Sequence, residues 1–343
     1  MATEQDWWKN RLAENIYVTL RIKEHSLQVY HGRSPQLWMR PALVNWICML
    51  TQRLDVSATT QHLAVYLLDY FMDGKKVDFN KLYLVAETCF ILAVKFEDNS
   101  RESPKFSTVM NLVPHLAGFI PPGSSIGPTH PSYTLQDYRS MEQAVLHYFH
   151  FELAVSVVPH FVPFFLQVAV DDDDLLNGLP IMSKPLMKSH VERQTLYFQT
   201  VCLQDPFFRQ VTPSLLAASC VASSRMSLGL TPTWPKQLEL ITDYYLEDLM
   251  PCTQQLLKFY RLHQQICNGT LPVAIPNDFI PHPAFPQLIP HPAFPQLIPH
   301  PAFPQRYIPN DENHAAGYST SLRNYDHSSL FSAAPNIPWS QRS

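Results

Sequence analysis

Residues 79–98 read FNKLYLVAETCFILAVKFED, a stretch that is apolar on nearly every face of a helix. A helix hydrophobic all round belongs in the middle of a bundle, because a surface helix keeps one polar face. Lys95 is therefore out of place in it, since charges are rarely buried without a partner. The oddity recurs at Arg40 in LWMRPALVNW (37–46), Asp69 in AVYLLDYFMD (64–73) and Glu142 in YRSMEQAVLHYF (138–149). Two bases and two acids on separate apolar helices predict a cluster that fixes helix packing and leaves some charge for a partner. The competing reading is four independent surface charges.

Working outward, residues 6–26 carry Trp7, Leu12, Ile16 and Leu20 at near-helical spacing, with Leu27 less regular. They predict an amphipathic helix in front of the first bundle. A helix over 36–53 starts after Ser34-Pro35. Ser57 is a good N-cap for another over 58–72, ended by Asp73-Gly74. A short helix over 105–113 and a longer one over 135–149 follow, separated by residues 114–133. That segment holds five prolines and three glycines and reads as an irregular loop.

The pattern then repeats. Residues 157–168 are apolar and aromatic, 171–174 are four aspartates, and 184–203 are amphipathic. Residues 213–228 are small-residue rich, 235–245 form a short helix, and 246–265 close the set. In both sets the third helix is the most hydrophobic, and strand signals are nearly absent. The expected fold is all-α, two tandem five-helix bundles of similar topology. The expected boundaries are 1–35 for the N-terminal helix and linker, 36–153 and 154–268 for the bundles, and 269–343 for a tail.

In that tail IPHPAFPQL occurs at 280–288 and 289–297, and IPHPAFPQR at 298–306. A nine-residue period is a whole number of three-residue polyproline II turns, and such a segment cannot sit inside a helix. The reading adopted is a disordered or semi-rigid proline-rich tail. The alternative is a docking strip for a proline-recognising domain, since PAFP fits PxxP and recurs three times.

Composition narrows the function. With 25 Lys and Arg against 29 Asp and Glu, the net charge of −4 offers no footprint for nucleic acid. The six cysteines, at 48, 89, 202, 220, 252 and 267, form no CxxC and no metal-ligand spacing. They read as reduced thiols, the state expected in cytosol or nucleus. The first 20 residues do not read as a signal peptide, and no apolar run approaches the roughly 20 residues of a membrane span. No phosphate-binding loop, nucleophile elbow, metalloprotease motif or kinase signature is present. His62 reads as a helix-surface or packed histidine, and the aspartates at 171–174 as a solvated loop. No cofactor and no metal are expected, and the chain reads as a regulator or adaptor rather than an enzyme.

The charged contexts also carry a likeness. MRPALVNW (39–46), LAVYLLDYF (63–71), LAVKFE (92–97) and MEQAVL (141–146) occur in the order and at about the spacing of the first cyclin box. From Leu12 to Gln265 the chain resembles the cyclin family, with its double cyclin fold. The resemblance implies a regulatory subunit that binds and activates a cyclin-dependent serine/threonine kinase in cell-cycle control, found in nucleus and cytoplasm. Alternatives are a transcription-type cyclin or a non-activating scaffold using the proline-rich tail.

The resemblance also assigns residues. Lys95 and Glu142 match the charged pair that holds the kinase helix and its preceding loop. Arg40 and Asp69 match the buried pair supporting them. Leu92, Phe96, Leu146, Phe151 and Leu153 match the apolar pocket for that helix, and Ile16 matches a contact from the N-terminal helix. The family's substrate-docking patch is altered: Met39, Leu43, Trp46 and Tyr83 stand at its positions, Ala42 makes it shallower, and Met49 replaces its carboxylate. Weak docking of RxL-type peptides is expected.

Overall fold

The computed structural model of this chain describes residues 11–98, 106–117 and 132–267. The proline-rich tail and most of the loop expected over 114–133 lie outside those residues.

Helix α1 spans Arg11–His25. A 3-10 turn, Leu37–Met39, leads into α2, Arg40–Arg53, with Pro41 in its first turn where a missing N–H costs nothing. Helix α3, Ala58–Gly74, begins at Ser57, whose hydroxyl accepts the Thr60 N–H as its sequence signals. It ends where a Cβ on Gly74 would strike the Tyr148 hydroxyl. Helix α4 is Leu82–Glu97, and every side chain from Leu82 to Val94 is buried. Helix α5, Phe106–Ala117, runs through Pro114, so the expected loop starts later than the proline implied. Helix α6, Leu135–Tyr148, opens on a reciprocal cap between Thr134 and Asp137. In the first bundle α4 lies among α2, α3 and α6.

The second bundle contains α7 (Val158–Gln167), α8 (Lys184–Cys202), α9 (Pro213–Leu228), α10 (Lys236–Thr242) and α11 (Leu246–Cys267). Helix α9 is central, packed on α7, α8 and α11, and Gly229 ends it with a left-handed φ of 75°. Three two-residue strands, β1 (Leu175–Leu176), β2 (Leu179–Pro180) and β3 (Leu230–Thr231), form an antiparallel sheet in the order β2-β1-β3. Asn177 and Gly178 turn the hairpin with φ of 51° and 82°. The fold is all-α with two five-helix bundles, apart from these short strands.

Two expectations are corrected. Helix α1, expected in front of the first bundle, packs on the second. Ala13 joins the second core, and the Tyr17 ring lies 5.3 Å from that of Phe164 and 6.0 Å from that of Phe161. Buried Glu24 accepts from the Ser214 N–H at 2.9 Å and its hydroxyl at 2.8 Å. The inward face is therefore Ala13, Tyr17, Leu20 and Glu24, while Leu12 and Ile16 of the expected stripe are exposed. Second, the aspartate run is not wholly solvated. Asp174 is buried against Arg225 of α9, with Oδ1 and Oδ2 at 2.7 and 2.8 Å from its guanidinium nitrogens.

Five of the cysteines, 48, 89, 202, 220 and 252, are buried free thiols. Among the described residues no helix is long and apolar enough to cross a membrane, and no cluster of ligands could hold a metal ion.

Candidate functional site

The four charges that opened the sequence reading form two ion pairs in two different environments. Arg40, at the start of α2, and Asp69, in α3, are buried. Arg40 Nε donates to Oδ1 at 2.7 Å and Nη2 to Oδ2 at 2.9 Å, the bidentate geometry that suits guanidinium and carboxylate. Burial works against the Arg40 charge, but the Asp69 carboxylate outweighs it and raises the guanidinium further. Arg40 Nη1 donates to the Gln204 carbonyl at 3.0 Å, so the pair also ties the first bundle to the chain leaving α8.

Lys95 and Glu142 meet at 2.5 Å across α4 and α6, at the surface: their side chains are 47% and 19% exposed. The expected cluster of four is thus two separate pairs, one buried and one at the surface. Lys95 lies in the last turn of α4, where the buried run has ended at Val94. Its ammonium also stands 4.6 Å from the centre of the Phe106 ring, a cation–π contact.

The apolar residues expected beside this pair divide by depth. Phe96, Phe151 and Ile16 are exposed; Leu146 is half-buried; Leu92 and Leu153 are buried in the first core. Phe151 is the most open of the six at 63%, and its backbone has φ of 62° after His150 at 51°. Left-handed backbone is unfavourable for a bulky side chain. The turn is held by the Phe151 N–H on the Leu146 carbonyl at 2.9 Å and the Glu152 N–H on Phe149 at 2.8 Å. It ends α6 abruptly and presents the Phe151 ring outward, edge-on to His147 at 5.3 Å.

The segment expected to form a shallow docking groove is closed. Met39, Leu43, Trp46, Met49 and Tyr83 are all buried. Trp46 donates its indole N–H to Glu87 Oε1 at 2.9 Å, and the Tyr138 hydroxyl donates to Oε2 at 2.5 Å. This makes Trp46 a core residue tied to a buried carboxylate. The physical reason is burial: at 1% exposure Trp46 has no ring face left to line a surface groove. Sequence reasoning missed Glu87, although a carboxylate inside the most apolar helix is the same signal that singled out Lys95.

His62, left open as surface or packed, is buried in α3, and burial together with the Arg209 charge pushes its imidazole down to about 3. Arg193 and Arg225 each begin an RxxL stretch, 193–196 and 225–228, and both stretches lie inside helices, α8 and α9.

Comparison with known proteins places two domains on this geometry. Residues 13–154 match the family description "Cyclin, N-terminal domain", and residues 160–269 match "Cyclin, C-terminal domain". A Xenopus laevis protein named Cyclin-J is 38% identical over 265 residues, which is 75% of this chain and 64% of the relative. The human Cyclin-J is 35% identical over 265 residues, 75% of this chain and 63% of the relative. A Glycine max G2/mitotic-specific cyclin, S13-7, is 27% identical over 235 residues, covering 68% of this chain and 77% of that one. The matched region spans less than two thirds of both Cyclin-J relatives.

Proposed function

The chain belongs to the cyclin family, and from that premise we propose that it binds and activates a cyclin-dependent serine/threonine kinase in control of nuclear division. Proteins of this family are regulatory rather than catalytic, and the kinase supplies the phosphoryl-transfer chemistry. The observation that carries the proposal is the surface pair Lys95–Glu142, with exposed Phe96 next to Lys95 in α4 and exposed Phe151 just past the end of α6.

That composition suits a partner helix. Exposed aromatic and aliphatic groups supply buried area on docking, while a charged pair at the rim answers backbone and polar groups at a helix end. Leu92 and Leu153 belong to the first core and Leu146 packs against it. Arg40 and Asp69, below the surface, hold α2 and α3 in register and so fix the frame on which α4 and α6 stand. On docking, the Lys95–Glu142 bond is exchanged for bonds to the kinase, which costs little because an exposed pair contributes only about 0–1 kcal/mol. The kinase helix is thereby held where its glutamate completes the lysine–glutamate pair needed for catalysis. The protein acts in nucleus and cytoplasm, entering the nucleus with its kinase.

Purification of the tagged chain from dividing cells, followed by a histone-kinase assay, tests the proposal. Co-purifying kinase activity that disappears in Lys95→Ala/Glu142→Ala supports it. An eluate without kinase rejects it in favour of a scaffold.

A further inference from the structure

Arg209 departs from the way this molecule treats its other buried charges. Its side chain is 9% exposed, and its only ion pair among the described residues is Nε to Asp69 Oδ2 at 3.6 Å, too long for a hydrogen bond. Its Nε is buried without a hydrogen-bond partner. Asp69 is already committed, giving both oxygens to Arg40 at 2.7 and 2.9 Å. The neighbouring carboxylates are engaged as well. Asp73 accepts the backbone N–H groups of His31 and Arg33, and Asp205 accepts from Phe207 N–H and the Gln255 amide. Two guanidiniums thus share one carboxylate, and the Nε–H of one of them is buried with no acceptor.

Arg209 lines a cavity of about 30 Å3 between the two bundles. His62, Tyr66 and Tyr70 of α3 form one wall, and Val158 and Leu216 of the second bundle another. A second orphan belongs to a lining residue: His62 Nε2 is buried with no hydrogen-bond partner. The volume exceeds the 10–15 Å3 or so that one water needs, so there is room for a small ion. A buried Nε–H without an acceptor is costly in an empty or purely apolar hole.

We propose that this cavity binds a small monovalent anion, held by the Arg209 guanidinium, and that the anion locks the two bundles together. The walls come from both bundles, so an ion seated there is bonded to one and enclosed by the other. Two sources share this chemistry. A halide answers the Arg209 donors alone. Hydrogencarbonate answers them with its oxygens and offers its O–H to His62 Nε2, which on a neutral imidazole can accept. The inference rests on the cavity and the unanswered donors, and is independent of kinase binding.

Thermal unfolding of the full chain in sodium chloride, sodium hydrogencarbonate and sodium gluconate, at equal ionic strength and pH, tests it. At saturating anion the expected result is a Tm about 2–4 °C higher than in gluconate, with the difference lost in Arg209→Gln. Crystals grown in bromide identify the source. A bromide peak beside Arg209 assigns a halide; a chloride-insensitive Tm raised by hydrogencarbonate assigns the protonated oxyanion. Equal Tm in all three salts, or a cavity holding water alone, overturns the proposal. The wild-type salt series decides the matter even if Arg209→Gln does not fold.

Discussion

Arg225 and Asp174 form a buried bidentate pair in the second bundle, with Nη2–Oδ1 at 2.7 Å and Nη1–Oδ2 at 2.8 Å. The arrangement parallels Arg40 and Asp69 in the first bundle. Arg225 also donates to the carbonyls of Ala169, Thr233 and Pro232, so one guanidinium gathers the chain after α7 and the segment after α9. Removing one partner of a buried pair strands the other charge, at a cost of about 3–5 kcal/mol. Asp174→Ala is therefore expected to lower stability by that amount. Asp172→Ala, in the same aspartate run but 86% exposed, is expected to change it by no more than about 0.5 kcal/mol. Urea unfolding midpoints of the two variants check the contrast; equal midpoints would return the whole run to solvent.

The first-bundle pair is asymmetric in a testable way. Asp69 serves Arg40 directly and Arg209 at 3.6 Å, whereas Arg40 leaves one carboxylate and the Gln204 carbonyl behind it. Asp69→Ala strands two buried guanidiniums and is expected to destabilise more than Arg40→Ala, both by about 3 kcal/mol or more. The order of the two denaturation midpoints is the readout.

Trp46→Ala is expected to act on stability and not on peptide docking. The change removes a fully buried indole and one of the donors to Glu87, a loss of about 3–5 kcal/mol. The wild-type chain is expected to bind an RxL peptide negligibly in a calorimetric titration, because the groove is closed. Tight binding abolished by this substitution contradicts the closed geometry.

His62 gives a pH dependence whose sign follows from its environment. Burial first, and the Arg209 charge second, lower its imidazole from 6.5 to about 3. Between those values the unfolded chain binds a proton there and the folded chain does not. Stability is therefore lost as pH falls from about 6.5 toward 3, and this residue adds no slope above that range. His62→Gln is expected to lose less stability between pH 7 and pH 5 than the wild type does. Identical losses would place the imidazole in contact with water.

How much of this was legible in the sequence depends on the kind of signal. Ser57, the all-round apolar run before Lys95 and the repeated third-helix pattern each express local chemistry, and the helices begin and end near them. Arg40 and Asp69 stood out because charge inside apolar helix has few explanations. The same rule applied to Glu87 and to Arg225, within LLAASCVASSRMSL, points to both buried residues, and it was not carried that far. Asp174 was hidden in a run whose Asp172 and Asp173 are ordinary exposed aspartates. Helix α1 was misplaced for a different reason: Leu12 and Ile16 supply the apolar period, while the buried side uses Ala13, Tyr17 and a carboxylate, Glu24. Which bundle an amphipathic helix joins is decided by partners such as Ser214, 190 residues away.

The central claim is that the surface carrying Lys95 and Glu142 grips a kinase, and the most direct test is an affinity measurement. The chain and its Lys95→Ala/Glu142→Ala variant are titrated against a panel of purified cyclin-dependent kinases, with unfolding midpoints recorded for both. The account predicts one kinase bound by the wild type, at least about tenfold weaker binding by the variant, and midpoints within about 1 kcal/mol because the pair is exposed. Undiminished kinase affinity in a folded double variant would contradict it.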